Sequence, residues 1–184
     1  MIHNQDILDR LKKGNEQYLE ALSNPGNISP AIREDTTVNG QHPYAVVVTC
    51  SDSRVIPEAA FSCGIGEIFT IRVAGNVMGQ HELGSVEYAA GHLGSKVIIV
   101  LGHTNCGAVG ATMEGGAHGF IKTLTDDIKA AIGDEKDYYK ACCLNATHGA
   151  EVIKEKLAGT EAIGPETDVL AAMYDIKTGK VEFL

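Results

Sequence analysis

The sequence lacks any apolar run of membrane-spanning length; the longest, Val97–Leu101, has the length of a strand. The start, Met-Ile-His-Asn-Gln-Asp, has neither a basic n-region nor an apolar h-region, so no secretory signal is expected. Basic charge is in the minority: 15 Lys and Arg stand against 24 Asp and Glu, for a net charge of −9. No basic stripe is present, so neither nucleic acid nor a membrane is an expected partner. Repeats and low-complexity tracts are absent, and there is no tryptophan. The five cysteines are odd in number and do not follow a disulfide-scaffold spacing. A reducing, cytoplasmic setting is therefore expected, in which thiols serve as ligands, catalytic groups or core fillers.

What remains is an ordinary globular composition, 44% hydrophobic over 184 residues, enough for one domain with a real core. A single domain spanning 1–184 is expected, with a helical arm and connector over 1–43 and an α/β core over 44–184. Residues 5–22 carry Ile7, Leu8, Leu11, Tyr18, Leu19 and Leu22 at helical spacing, with Gly14 as the weak point. Pro25, Gly26, Pro30, Gly40 and Pro43 break 23–43 into a connector with room for one short helix. Strands are expected at Tyr44–Thr49, Glu67–Val73, Lys96–Leu101, Asp168–Asp175 and Lys180–Phe183. Helices are expected at Pro57–Ser62, Glu82–Leu93, Cys106–Met113, 119–132 and 137–158. This alternation implies an α/β fold with a mostly parallel central sheet of order 2-1-3-4, flanked by helices. The C-terminal hairpin, turning at Gly179, adds an antiparallel edge strand.

Two short motifs fall at critical points of that scaffold. Cys50 begins the run Cys-Ser-Asp-Ser-Arg at the carboxyl end of the first strand. His103-Thr-Asn-Cys106 follows the third strand. In the expected order these strands are neighbours, and ligands collect outside carboxyl strand ends where the order reverses. Two thiols and an imidazole form a soft ligand set that suits zinc and leaves a fourth tetrahedral position. Spacing alone leaves a second reading open, since free cysteines are among the most buried residues and serve equally well as core.

The motifs together resemble the β-class carbonic anhydrases. The resemblance covers Cys50-Ser-Asp52-Ser-Arg54-Val-Ile-Pro57-Glu58, Arg72-Val-Ala74-Gly75-Asn76, Ser85-Val-Glu-Tyr88-Ala, Gly102-His103-Thr-Asn-Cys106-Gly107 and Tyr174-Asp175 with Thr178-Gly179. It implies one Zn²⁺ per subunit on Cys50, His103 and Cys106, and a catalytic dyad of Asp52 and Arg54. It implies a substrate pocket from Gln41, Phe69, Ala74, Gly75, Tyr88 and Gly107, lining a cleft at a dimer interface. Gln41, nine residues before Cys50, is similar to a glutamine of the plant-like, open-site branch. The absence of tryptophan removes the residue around which some closed-site members build a regulatory bicarbonate pocket. The N-terminal helix is implied to pack on a neighbouring subunit of a homodimer or dimer-based oligomer.

The implied activity is reversible hydration of carbon dioxide to bicarbonate and a proton, by zinc-bound hydroxide that Asp52 and Arg54 orient. Two thiolates cancel the metal's formal charge, so the nearby charged pair is expected to compensate. An alternative is a carbon disulfide or carbonyl sulfide hydrolase on the same ligands. Another is a non-catalytic zinc or bicarbonate binder, which the intact dyad disfavours. Cys63 and at least one of Cys142 and Cys143 read as core. His3, His42, His81, His92, His118 and His148 read as loop or surface residues, with no proton shuttle singled out. Arg72 reads as an anion contact or a structural ion-pair partner. The glycine pairs near 64–66 and 115–116 lack phosphate-loop spacing and read as turns.

Overall fold

The computed structural model describes residues 3–20, 23, 24 and 26–184; Leu22 and Pro25, named above, lie outside these. Five strands among the described residues form one sheet: β1 (Ala45–Thr49), β2 (Ile68–Arg72), β3 (Val97–His103), β4 (Asp168–Tyr174) and β5 (Val181–Phe183). Their order is β2-β1-β3-β4-β5. The first four are parallel, and β5 closes the edge antiparallel to β4. Among the described residues, seven α-helices surround the sheet: α1 (Asn4–Glu20), α2 (Pro30–Asn39), α3 (Pro57–Ala60), α4 (Gln80–Glu87), α5 (Gly107–Glu114), α6 (Gly119–Ile132) and α7 (Tyr138–Lys156).

Every residue of β1 and β3 is buried, because both strands are covered on two faces. Val46, Val48, Ile98 and Val100 pack with Ile128, Ala146 and Ile153 from α6 and α7. The alternate residues Ala45, Val47, Val97, Ile99 and Leu101 pack with Ile7, Leu11 and Phe61 on the opposite face. A strand's period of two thus feeds two separate cores from one apolar run.

Two expected element bounds are corrected. His103 is the last residue of β3, not a loop residue beyond it, because β4 continues alongside and pairs Tyr174 with His103. The expected helix through Leu93 ends its α-helical part at Glu87 and continues as a π turn over Tyr88–His92. Part of the apolar stripe of α1 packs within the chain, while Leu19 stays exposed. Ile7 and Leu11 join the second core, and Asn15 Nδ2 donates to the Ala60 and Gly179 carbonyls at 2.9 Å each.

Gly14 is not a weak point of α1 but the place where the helix crosses the chain after α3. A Cβ there would lie 1.9 Å from the Phe61 carbonyl oxygen. A helical Gly→Ala change ordinarily gains up to about 1 kcal/mol. Here overpacking costs about 1–3 kcal/mol, so Gly14→Ala is expected to lower the melting temperature by several degrees in thermal denaturation. An unchanged or raised melting temperature would contradict the close crossing.

Candidate metal centre

The parallel pairing of β1 with β3 sets Thr49 opposite Leu101, and the Thr49 hydroxyl donates to the Leu101 carbonyl at 2.7 Å. The residues that follow, Cys50 just beyond β1 and Gly102-His103 at the end of β3, therefore lie side by side. Gly102 makes room for this: a Cβ would meet Met173 Sδ at 2.8 Å and Ala146 Cβ at 3.0 Å. Asn105 then takes a left-handed φ of 57°, which Asn tolerates better than most residues, and turns Cys106 to the cap position of α5.

The ligand atoms of Cys50, His103 and Cys106 all lie within 4.8 Å of one another, and all three residues are buried. His103 Nδ1 donates to the Thr104 carbonyl at 2.9 Å, so Nε2 is left with its lone pair. That nitrogen is buried and has no hydrogen-bond partner among the described residues, an uncommon condition for a polar atom at zero exposure. The Cys50 pKa is drawn down, first by the neighbouring Cys106 thiol and then by the His103 ring and the Gly75 N–H, against its burial. Cys106 is pushed up by Cys50 beside it and by its own desolvation. Two buried sulfurs, one of them inclined to ionise, and an orphaned imidazole nitrogen are the donor set of a zinc site. Bonds of about 2.3 Å to sulfur and about 2.0 Å to nitrogen keep one ion's ligands within that span. Zinc fits these residues.

Asp52 flanks the cluster. Its carboxylate accepts Arg54 Nε at 2.9 Å, Arg54 Nη2 at 2.7 Å and the Arg54 backbone N–H at 2.9 Å. This fork holds its pKa well below the ordinary carboxylate range. Asp52 Oδ2 comes to 4.0 Å from His103 Nε2. Arg54 Nη2 also donates to the Asn105 carbonyl at 3.3 Å, tying the two motifs together. Arg72 donates to the carbonyls of Cys50 at 3.3 Å and Asp52 at 2.8 Å, and so clamps the main chain of the first motif.

The remaining site candidates fall into two groups. Gly75, buried, donates its N–H to Cys50 Sγ at 3.2 Å. Ala74 shares its short 3₁₀ turn, and Gly107, exposed, opens α5. Gln41 and Tyr88 instead border a shallow groove with Thr36, Gly40, Ile65, Gly66 and Leu93. Phe69 adjoins it, its ring centroid 6.1 Å from that of Tyr88. None of Cys50, Asp52, Arg54, His103 or Cys106 lines that groove. Tyr88 also stacks on His92 at 5.1 Å. Among the other histidines, His148 is half-buried and the rest are exposed.

Cys63 is core, bonded to the Tyr44 hydroxyl at 3.0 Å and pushed up to about 11 by burial. Cys142 is buried and Cys143 half-buried, as adjacent positions on a helix require. Sequence reasoning missed Tyr138, whose hydroxyl donates to the Cys106 carbonyl at 2.6 Å. It stands 32 residues from its partner, beyond any local motif, and only the docking of α7 brings it there.

Residues 45–181 match the carbonic anhydrase family profile. A carbonic anhydrase of Mycolicibacterium smegmatis is 33% identical over 191 residues, covering 94% of this chain and 89% of that protein. Carbonic anhydrase 2 of Mycobacterium tuberculosis is 42% identical over 103 residues, covering 56% of this chain and 49% of that protein. Among solved structures, a tetrameric β-carbonic anhydrase of Sordaria macrospora superposes with a TM-score of 0.70 at 23% identity, covering 84% of this chain and 87% of that one. The Coccomyxa β-carbonic anhydrase in complex with acetazolamide gives 0.70 at 21% identity, covering 98% and 82%.

Metal analysis of the purified protein is expected to find about one zinc per chain, with the Cys50→Ser variant losing nearly all of it, since a hydroxyl is a poor zinc ligand. Full zinc retention in that variant would contradict the cluster's role.

Proposed function

The chain belongs to the carbonic anhydrase family, with the β-class fold, and from that premise we propose that it catalyses the reversible hydration of carbon dioxide at the Cys50–His103–Cys106 cluster. The observation that carries this reading is the buried, unpartnered His103 Nε2 beside two sulfurs, with the Arg54-locked carboxylate of Asp52 4.0 Å away. A zinc ion held by these three residues would supply Lewis acidity, which makes water a nucleophile near neutral pH.

The chain's own residues account for the rest. Asp52, ionised, can only accept hydrogen bonds. With Arg54 occupying both carboxylate oxygens from one side, the remaining lone pairs face the cluster. They fix the direction from which an O–H can approach, and so aim the oxygen's free lone pair at the carbon of carbon dioxide. Arg54 cannot deprotonate and presents a rigid fork, so the carboxylate is held in one orientation rather than several. Arg72 holds the carbonyls on either side of Ser51, which keeps Asp52 in step with Cys50.

The open-site arrangement is part of the proposal. It is supported by the three hydrogen bonds that keep Asp52 turned to Arg54, by Gln41 and by the absence of tryptophan. Gln41, Phe69 and Tyr88 are proposed to meet substrate at the metal centre of a second copy. Their clustering away from this chain's own ligands and the half-exposed ring of Tyr88 support that reading, and with it a homodimer.

Stopped-flow measurement on zinc-loaded protein is expected to show carbon dioxide hydration. No turnover at pH 7 and pH 9 with full zinc occupancy, or sulfide release from carbonyl sulfide or carbon disulfide in its place, would overturn the proposal. Asp52→Asn is expected to keep its zinc and lose about 10²-fold in turnover, the scale of a misaimed reactant; wild-type rates in that variant would remove the orienting role.

A further inference from the structure

Gly75 touches the candidate metal centre from behind, and a buried side chain on α7 holds it there. The Gly75 N–H donates to Cys50 Sγ at 3.2 Å. The carbonyl of the same residue accepts from Asn145 Nδ2 at 2.8 Å. Asn145 is 4% exposed and lies 70 residues further along the chain. The turn it holds is not one that local preference maintains. Gly75 has φ 72° and Asn76 has φ 44°, two successive residues in the left-handed region. Such backbone persists where its surroundings over-determine it. The close packing at Gly75 is part of that frame: a Cβ would lie 2.7 Å from Ile128 Cδ1 and 3.0 Å from Ala108 Cβ. The Asn145 amide is the polar part: it holds the plane of the Gly75–Asn76 peptide, and through the φ and ψ of Gly75 it steadies the turn that carries the Gly75 N–H.

We infer that Asn145 is a positioning residue for the metal centre: by holding Gly75 it keeps an N–H aimed at the Cys50 sulfur, and so limits the charge that this thiolate donates to a bound metal. The chemical need is specific to a two-thiolate site. Two thiolates neutralise the formal charge of a divalent ion, which weakens its pull on a bound oxygen. A hydrogen bond to one sulfur draws negative charge off it and restores part of that pull. Gly75 carries the hydrogen bond, and Asn145 carries Gly75.

The inference rests on reading Cys50 as a metal ligand, and the experiment separates the two. Cobalt(II) is substituted for the native metal, and the sulfur-to-cobalt charge-transfer band is recorded for the wild type, Asn145→Leu, Asn145→Gln and Ile153→Val. Asn145→Leu keeps the branched outline and removes the donor. It is expected to move the band to lower energy, because a thiolate freed of its N–H gives up charge more readily, and to lose about 10–100-fold in turnover, the usual effect of losing an outer partner. Asn145→Gln, which retains an amide donor, is expected to return part of both effects. Ile153→Val loosens the same helix within the same core without touching Gly75, and its band is expected to match the wild type.

If Asn145→Leu does not fold, Asn145→Ser, whose short hydroxyl falls away from the Gly75 carbonyl, reads the same band. An unmoved band in a cobalt-loaded donor-deleted variant overturns the inference while leaving Cys50 as a ligand. A wild-type protein that takes up cobalt with no sulfur band overturns both.

Discussion

The parallel pairing of β1 with β3 is the constraint from which the site follows. Residues 53 positions apart become neighbours because Thr49 and Leu101 are partners in the ladder, and the Cys-His-Cys cluster forms at that end of the two strands. That pairing is fixed by burial. Val46, Val48, Ile98 and Val100 feed one core, while Val47, Ile99 and Leu101 feed the other. Slipping one strand by a residue would exchange the side chains of the two cores, so the hydrophobic packing that stabilises the domain also sets the register of its chemistry.

The ends of those strands are held by hydrogen bonds from outside them. Arg72, on β2, clamps the main chain around Cys50 and Asp52. Arg54 joins the Asp52 carboxylate to the Asn105 carbonyl. Tyr138, at the start of α7, secures the Cys106 carbonyl. Three separate elements thus converge on two short turns. The result is a cluster in which the His103 imidazole and two sulfurs are desolvated together, a state that costs free energy unless a partner joins them. The Arg54–Asp52 pair stands at the edge of the site, with Arg54 half-exposed.

Much of this was legible in the sequence, for physical reasons that differ by element. The buried strands were legible because an apolar run bounded by turn residues has few other uses. The Cys50–His103–Cys106 cluster was legible because soft donors at adjacent strand ends are brought together by topology alone. The extent of β3 was not: whether Gly102 and His103 continue the strand depends on β4 running beside them to Tyr174. The docking of α1 was not legible either, since an amphipathic stripe does not say which surface it meets, and Ile7 and Leu11 meet this chain's own core. Tyr138 and Asn145 carry no local signal at all. Each acts on a backbone carbonyl far away in sequence, and a carbonyl leaves no trace in residue identity. The division of the pocket residues into a metal-side group and the Gln41–Tyr88 groove likewise depends on the path of the chain around the β2 edge.

The central claim is that Cys50, His103 and Cys106 together hold one metal ion. X-ray absorption at the zinc edge of the wild-type protein tests it most directly. The account predicts two sulfur neighbours at about 2.3 Å and one imidazole nitrogen at about 2.0 Å around each zinc. A zinc bonded to no sulfur, or to three or more sulfurs, would contradict it.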